Sequence, residues 1–186
     1  MISIDDFNLE NIRLAKLIKS YGLEKDTWFA IDLREREALS QITELNEMGF
    51  NLASHTMNHT FLSQVDIPVI EYELNQSKVI IQGLTGKDVD WIVYPRGRVN
   101  DEVVEIAKKC GYKYGRTTLL FNKDDMQQGG CHLTYPRNEY EGIDPFEWAK
   151  RSHLNHYWGH CSEIIKFHLW DKFEEFLKWY KEQHGI

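Results

Sequence analysis

Apolar residues recur along this chain in two alternating rhythms. Short runs rich in aromatic and β-branched residues, such as Thr27-Trp28-Phe29-Ala30-Ile31 and Trp91-Ile92-Val93-Tyr94, have the composition of buried strands. Between them apolar residues return every three or four positions, as in Ala38, Ile42, Leu45 and Met48 ahead of Gly49, which is the stripe of a helix with a glycine stop. A short apolar strand at the start leads to a helix expected from Asn8, as N-cap, to Gly22. The unit repeats as a strand over 50–54 with a helix from about Pro68 to Thr85-Gly86, and again as strand 91–94 with a helix capped by Asn100 and ending at Gly111. Residues 112–117 read as a fifth strand, and 131–135 as a sixth. The periodicity fails between them, where Asn122, Lys123, Asp124, Asp125 and Gly129-Gly130 indicate a loop. A helix over 145–151, a last strand over 153–158 and a long amphipathic helix carrying Trp170, Phe173, Leu177 and Tyr180 complete the chain.

Strands that alternate with helices this regularly predict a parallel sheet, because each parallel connection needs a crossover. The pattern leaves a closed barrel and an open doubly wound sheet equally available. Both place their sites at the carboxyl ends of strands, and polar residues gather there. Asp5-Asp6 follow the first strand, Ser54-His55 with His59 the third, Pro95-Arg96-Gly97 the fourth, Arg137 the sixth and His160 the last.

Composition narrows the partners. With 186 residues and no linker-like segment, one domain over 1–186 is expected. A formal charge of −7 and a pI near 5.6 give no basic surface for a phosphate backbone, so nucleic acid is excluded as a partner. No apolar run has the length of a membrane span, and mean hydropathy is −0.52. The first residues lack a secretory pattern and the 3 cysteines form no C-x-x-C pair, which suits a cytoplasmic location unless the chain is trimmed from a longer precursor. No obligate protein partner is evident.

His55 and His59, four positions apart, would face one way on a helical turn and can share an ion. Two adjacent carboxylates leaving a strand point in different directions, so one can ligate while its neighbour serves as a general base. Two histidines and a carboxylate with an open position suit zinc first, with cobalt, nickel or manganese as alternatives, and such a centre acidifies water for attack on a carbonyl. His160 is placed to return a proton to the leaving group. Trp158 would stack on a sugar face or receive a methyl, with core packing as the other reading. His132, His153, His168 and His184 read as ordinary packing or surface residues, and His156 as intermediate.

These residues resemble the polysaccharide deacetylase family, the NodB-homology domain of carbohydrate esterase family four. Ser3-Ile4-Asp5-Asp6-Phe7 is similar to its T-F-D-D-G motif, Ser54-His55-Thr56-Met57-Asn58-His59-Thr60 to its H-[ST]-x-x-H motif, Tyr94-Pro95-Arg96-Gly97 in part to R-x-P-x-G, and Asn155 to His160 to its closing strand. The likeness spans nearly the whole chain, in family order. It implies a single-domain α/β fold, a distorted (β/α) barrel of about seven parallel strands, with one divalent metal ion on Asp6, His55 and His59. It further implies Asp5 as base, His160 as acid, an oxyanion held at the Arg96 backbone N–H, substrate contacts from Tyr94, Pro95 and Arg96, and removal of acetyl from an N-acetylated glycan or sugar precursor.

The motif is not matched everywhere. Phe7 stands where the family has glycine, and Val93 where it has the arginine that orients the base; Arg137 is the candidate to supply that cation from another strand. No segment matches the fourth motif, which leaves His160 without an orienting partner. Hydrolysis of a formamide or cyclic amide, or saccharide binding without catalysis, are the alternative readings.

Overall fold

In the computed structural model, residues 1–135, 142–152 and 154–186 are described. Seven parallel strands make one sheet: β1 (Ile2–Asp5), β2 (Thr27–Ile31), β3 (Asn51–Ser54), β4 (Trp91–Val93), β5 (Tyr114–Arg116), β6 (Cys131–His132) and β7 (Tyr157–His160). Helices α1 (Asn11–Ser20), α2 (Glu37–Glu47), α3 (Ile67–Thr85), α4 (Asp101–Lys109), α5 (Pro145–Arg151), α6 (Cys161–Lys166) and α7 (Trp170–His184) flank it. The sheet order β5-β4-β3-β2-β1-β7-β6 is chain order when read as a ring, with one gap between β5 and β6. Residues 124–130 span that gap. Gln128 bridges Arg116 in parallel, Gly115 N–H donates to Asp125 O at 2.8 Å, and the segment then runs into β6 on β7. The sheet is therefore curled into a (β/α) barrel, and the choice that periodicity left open falls on the barrel.

The alternation of each strand sorts its side chains. Ile2, Ile4, Phe29 and Ile31 join the main core under the helices, whereas Ala30, Ala53 and Val93 form a separate inner cluster with Trp28 and Trp91. Small residues on three consecutive inner strand ends leave room inside the barrel for longer polar side chains from β5 and β7. On the outside, α7 lays Phe173, Phe176 and Tyr180 against Phe146 and Tyr157, with Tyr157 and Phe176 ring centres 5.2 Å apart. Each such ring fully buried contributes about 1.5–3 kcal/mol, so the aromatic stripe is core.

Four boundaries differ from the sequence expectation. The first helix starts at Asn11, because Asn8 forms a turn of its own: its Oδ1 accepts from Glu10 N–H at 2.9 Å and its carbonyl from Asn11 N–H at 3.0 Å. The sixth strand is only two residues long. The last strand begins at Tyr157 and runs through His160; the expected start, His153, lies outside the described residues. The closing helix is two, broken at His168 with φ +54°. No helix among the described residues is long and apolar enough to cross a membrane.

Candidate metal centre and active site

The end of β1 sends its two carboxylates apart. Asp5 is the last inward residue of the strand and is 3% exposed, while Asp6 takes a left-handed backbone (φ +68°) that turns its side chain toward the loop after β3. That turn is held on both sides. Asn11 Nδ2 donates to Asp6 O at 3.0 Å, and the next amide, Phe7 N–H, donates to Asp32 Oδ2 at 3.0 Å. Asp32 is buried, which opposes ionisation, yet Arg34 and the Phe7 N–H hold its carboxyl below the ordinary value.

His55 and His59 do meet, although not on a helical turn. The segment is a loop in which Thr56 (φ +67°) and His59 (φ +54°) both adopt left-handed backbone, and the rings lie 4.9 Å apart at 71°. Each such residue costs on the order of 1 kcal/mol or more. Glu73 of α3 offsets this, its Oε2 accepting from Met57 N–H and Asn58 N–H, both at 2.9 Å, and its Oε1 from Asn58 Nδ2 at 2.7 Å.

The donor set fits a divalent ion. His55 Nδ1 lies 2.7 Å from Val93 O, a carbonyl that only accepts, so the hydrogen sits on Nδ1 and the Nε2 lone pair faces outward. That atom is 3.1 Å, and His59 Nε2 3.3 Å, from Asp6 Oδ1, which is shut off from solvent and has no aligned hydrogen bond among the described residues. Three donor atoms this close call for positive charge between them, from a bound ion or, in its absence, from imidazole protons. Ligand bonds of about 2.0–2.1 Å in a tetrahedron set donors roughly 3.3 Å apart, close to the spacing here. With no ion bound, burial works against ionisation of Asp6, but hydrogen bonds donated by the two imidazoles, with His160 nearby, hold its carboxyl well below the usual carboxylate range.

Asp5 points the other way, into the barrel, where its Oδ2 pairs with Arg116 Nη2. Arg116 ends β5, is 1% exposed, and also lies 4.3 Å from the Trp158 ring centre. It reaches Asp5 through the space that Ala30, Ala53 and Val93 leave, so the valine at the expected arginine position comes with a cation from the neighbouring strand. Arg137, expected in that role, lies outside the described residues. Asp5 Oδ1 is buried with no hydrogen-bond partner among the described residues.

His160 has a partner that sequence reasoning did not find. Its Nδ1 lies 2.8 Å from Glu163 Oε2, and the same oxygen takes His132 Nε2 at 2.8 Å and the Thr134 hydroxyl. Thr134 Oγ1 in turn accepts from His160 N–H at 3.0 Å. Thr134 comes so close to β7 that a Cβ on Gly159 would sit 2.6 Å from its Cγ2, which is why glycine precedes the histidine. The spacings of 2.8 Å are those of charge-assisted hydrogen bonds, too short to admit an ion between the donors, so His132, His160 and Glu163 share protons rather than a metal. Burial lowers the basicity of His160, but Glu163 together with Asp5 and Asp6 outweighs it and raises its pKa; burial likewise opposes ionisation of Glu163, whose carboxyl the two histidines hold far below the ordinary value. His132, read from sequence as ordinary, is thus part of the site. His160 Nε2 faces Asp6 Oδ2 at 3.8 Å.

One cavity of about 460 Å³ joins these groups, lined by Asp5, Asp6, both metal-side histidines, Arg116 and the His132–His160–Glu163 cluster. Tyr94 and Arg96 line it too, Arg96 on left-handed backbone (φ +54°) in a turn closed by Gly97 N–H on Tyr94 O at 2.8 Å. Pro95 is buried beneath that turn. Trp158 reaches the cavity but is 2% exposed, packed on Arg116 and stacked 3.8 Å from His132, so core packing describes it and no ring face is open to a sugar. His156 is buried away from the cavity on Ser3 Oγ at 3.1 Å; burial first, then Arg116, push its pKa well down.

Known proteins share this frame. YxkH of Bacillus subtilis (strain 168), named among the polysaccharide deacetylases, is 28% identical over 122 residues, 63% of this chain and 44% of its own length. The Streptococcus pyogenes deacetylase PplD, solved in complex with acetate, superposes with a TM-score of 0.62 at 23% identity, over 69% of this chain and 61% of that one. BA3943 of Bacillus anthracis, a CE4 family pseudoenzyme, gives a TM-score of 0.73 at 16% identity over 98% of this chain and 60% of that one. The chain thus spans between 44% and 61% of the length of these relatives. The family model for polysaccharide deacetylase matches residues 2–115, more than half of the chain, and the chain belongs to that family.

Proposed function

We propose that the chain is a metal-dependent hydrolase that removes acetyl groups from an N-acetylated sugar or polysaccharide. The observation that carries this reading is Asp6 Oδ1, buried, with no aligned hydrogen bond among the described residues, and facing two imidazole nitrogens in the cavity that also holds Asp5 and His160. Asp6, His55 and His59 would hold the ion, zinc suiting the donor set best, and a bound divalent ion supplies an acidified water and polarises the acyl oxygen.

The chain's own residues do the rest. Asp5, its Oδ2 engaged by Arg116, takes the proton of the attacking water at Oδ1. The Arg96 backbone N–H holds the oxygen as negative charge develops on it. His160, with Nδ1 tied to Glu163, keeps Nε2 toward the cavity and donates from it to the departing amine nitrogen. The products are an amino sugar and acetate. Arg116 answers the departure at Val93, and Glu163 the missing fourth motif, so both departures leave the base and the acid supported.

Metal content and acetate release from N-acetylglucosamine oligomers, measured on wild type and His55→Ala, test the reading. About one ion per chain with acetate release, both lost in the variant, is expected. Bound metal with formate or ammonia from other amides, and no acetate, would replace this reading with another C–N hydrolysis.

A further inference from the structure

Two buried carboxylates take no part in the chemistry above, Asp32 at 0% and Glu73 at 2% exposure. Neither is arranged like a structural ion pair of the core. Asp32 does meet Arg34, a half-exposed side chain, but its Oδ2 also accepts the Phe7 amide directly after the ligand Asp6. Glu73 meets no cation among the described residues and spends both oxygens on the loop between the ligands His55 and His59. Leu33 N–H on Met57 O, at 3.0 Å, ties the strand end that carries Asp32 to that same loop.

Backbone geometry explains the need. Of the five non-glycine residues with positive φ among the described residues, three are Asp6, Thr56 and His59, all on the two ligand loops. On this left-handed backbone Asp6 and His59 face each other at 3.3 Å, and it is a conformation such residues leave readily unless the surroundings fix it. A carboxylate accepting backbone N–H groups inside the protein supplies that constraint, since moving the loop strands both the amides and a buried charge. Asn11 adds to it from the other side, donating Nδ2 hydrogens to Asp6 O at 3.0 Å and Gln41 Oε1 at 2.9 Å.

We propose that Asp32 and Glu73 are positioning residues for the metal centre, each setting one ligand loop in its binding shape before the ion arrives. The inference rests on the metal reading given under the proposed function. The ligand loops would then be preformed, with affinity lost when either carboxylate is neutralised although neither touches the ion.

The test is cobalt(II) and zinc(II) binding by the full chain, followed by chelator competition and by the visible spectrum of the cobalt form, with melting of the metal-free protein in parallel. Glu73→Gln and Asp32→Asn keep the side-chain volume. Each is expected to weaken metal affinity by about 10–100-fold and to alter the cobalt spectrum. Asp144→Ala, which removes a carboxylate from the Phe146 N–H at the start of α5, controls for lost stability and is expected to melt lower while keeping wild-type affinity and spectrum. Wild-type affinity and spectrum in Glu73→Gln and Asp32→Asn, whatever their melting temperatures, overturn the proposal and leave the two carboxylates a purely structural role. A wild-type protein that takes up neither ion overturns the metal reading itself, an outcome separate from the first.

Discussion

Replacing Arg116 with methionine keeps most of the side-chain volume and removes the only charge paired with Asp5 among the described residues. Both partners are at most 3% exposed, so discounting for solvent is small and the loss is that of a broken buried pair, about 3–5 kcal/mol. An unfolding entropy of about 2.1 cal/mol/K per residue gives roughly 0.4 kcal/mol/K for a chain of 186 residues, hence a fall in Tm of about 8–13 °C. Most of that cost is the carboxylate left behind. Asp5→Asn combined with Arg116→Met should therefore be more stable than the sum of the singles implies, with a coupling of about 2 kcal/mol in a urea-denaturation cycle. Metal content should stay near wild type in Arg116→Met, because Asp6, His55 and His59 are untouched, while acetate release falls about 100-fold or more with the base unfixed. A Tm within about 2 °C of wild type, or a cycle additive to about 0.5 kcal/mol, refutes the pairing argument. So does a result in which Arg137→Ala abolishes turnover with metal retained while Arg116→Met does not.

Glu163→Gln removes one of the charges that raise the His160 pKa, so the alkaline limb of kcat/KM should move to lower pH; an unmoved limb excludes His160 as the acid. The sign for stability follows from the same pair. The raised His160 stabilises fully below its ordinary 6.5 and loses that contribution as pH rises through its raised value, whereas the depressed Glu163 contributes above its ordinary 4.5 and loses it on further acidification. The wild type should thus exceed Glu163→Gln in stability most clearly between about pH 4.5 and 6.5, as chemical denaturation across that range can check. Gly115→Ala places a Cβ 2.7 Å from Tyr94 Cε2 and in overlap with the Met126 carbonyl, and should destabilise by more than about 2 kcal/mol. Gly83→Ala, exposed in α3 with nothing within 4 Å, should stabilise by about 0.5–1 kcal/mol; equal effects of the two in thermal melts would contradict the packing of the β5 seam.

What the sequence made legible follows the range of the forces involved. Helices with a full apolar stripe and a glycine stop, such as α2 and α3, were placed within a residue or two because burial and local backbone preference agree there. Strand ends gave Asp5, Asp6, His55, His59 and His160, since adjacent carboxylates and spaced histidines are visible as text. Arg116 was not visible: in Tyr114-Gly115-Arg116 nothing local tells an inward arginine from an exposed one, and its meaning depends on the small residues of three other strands. His132 was hidden for a related reason, and Glu163, although it follows the closing motif, showed no link to His160. The acid's partner was sought in a distant motif, and it stands three residues on, sharing one carboxylate oxygen with a histidine from a two-residue strand. The gap between β5 and β6 was read correctly as a loop, but its hydrogen bonds across the barrel seam carry no periodic signature.

The position of β1 has a consequence for synthesis. β1 pairs with β2 on one side and β7 on the other, and 153 residues separate Ser3 from His156. At about 5–20 residues per second, a ribosome takes roughly 8–30 s to deliver the strand that covers that edge. Throughout that interval the nascent chain presents an unpaired parallel edge carrying both aspartates, the kind of surface on which chains join one another. Nascent polypeptides stalled after β5 should therefore depend on chaperones far more than the released protein does, and His160, the proposed proton donor on β7, is among the last parts of the site to be made.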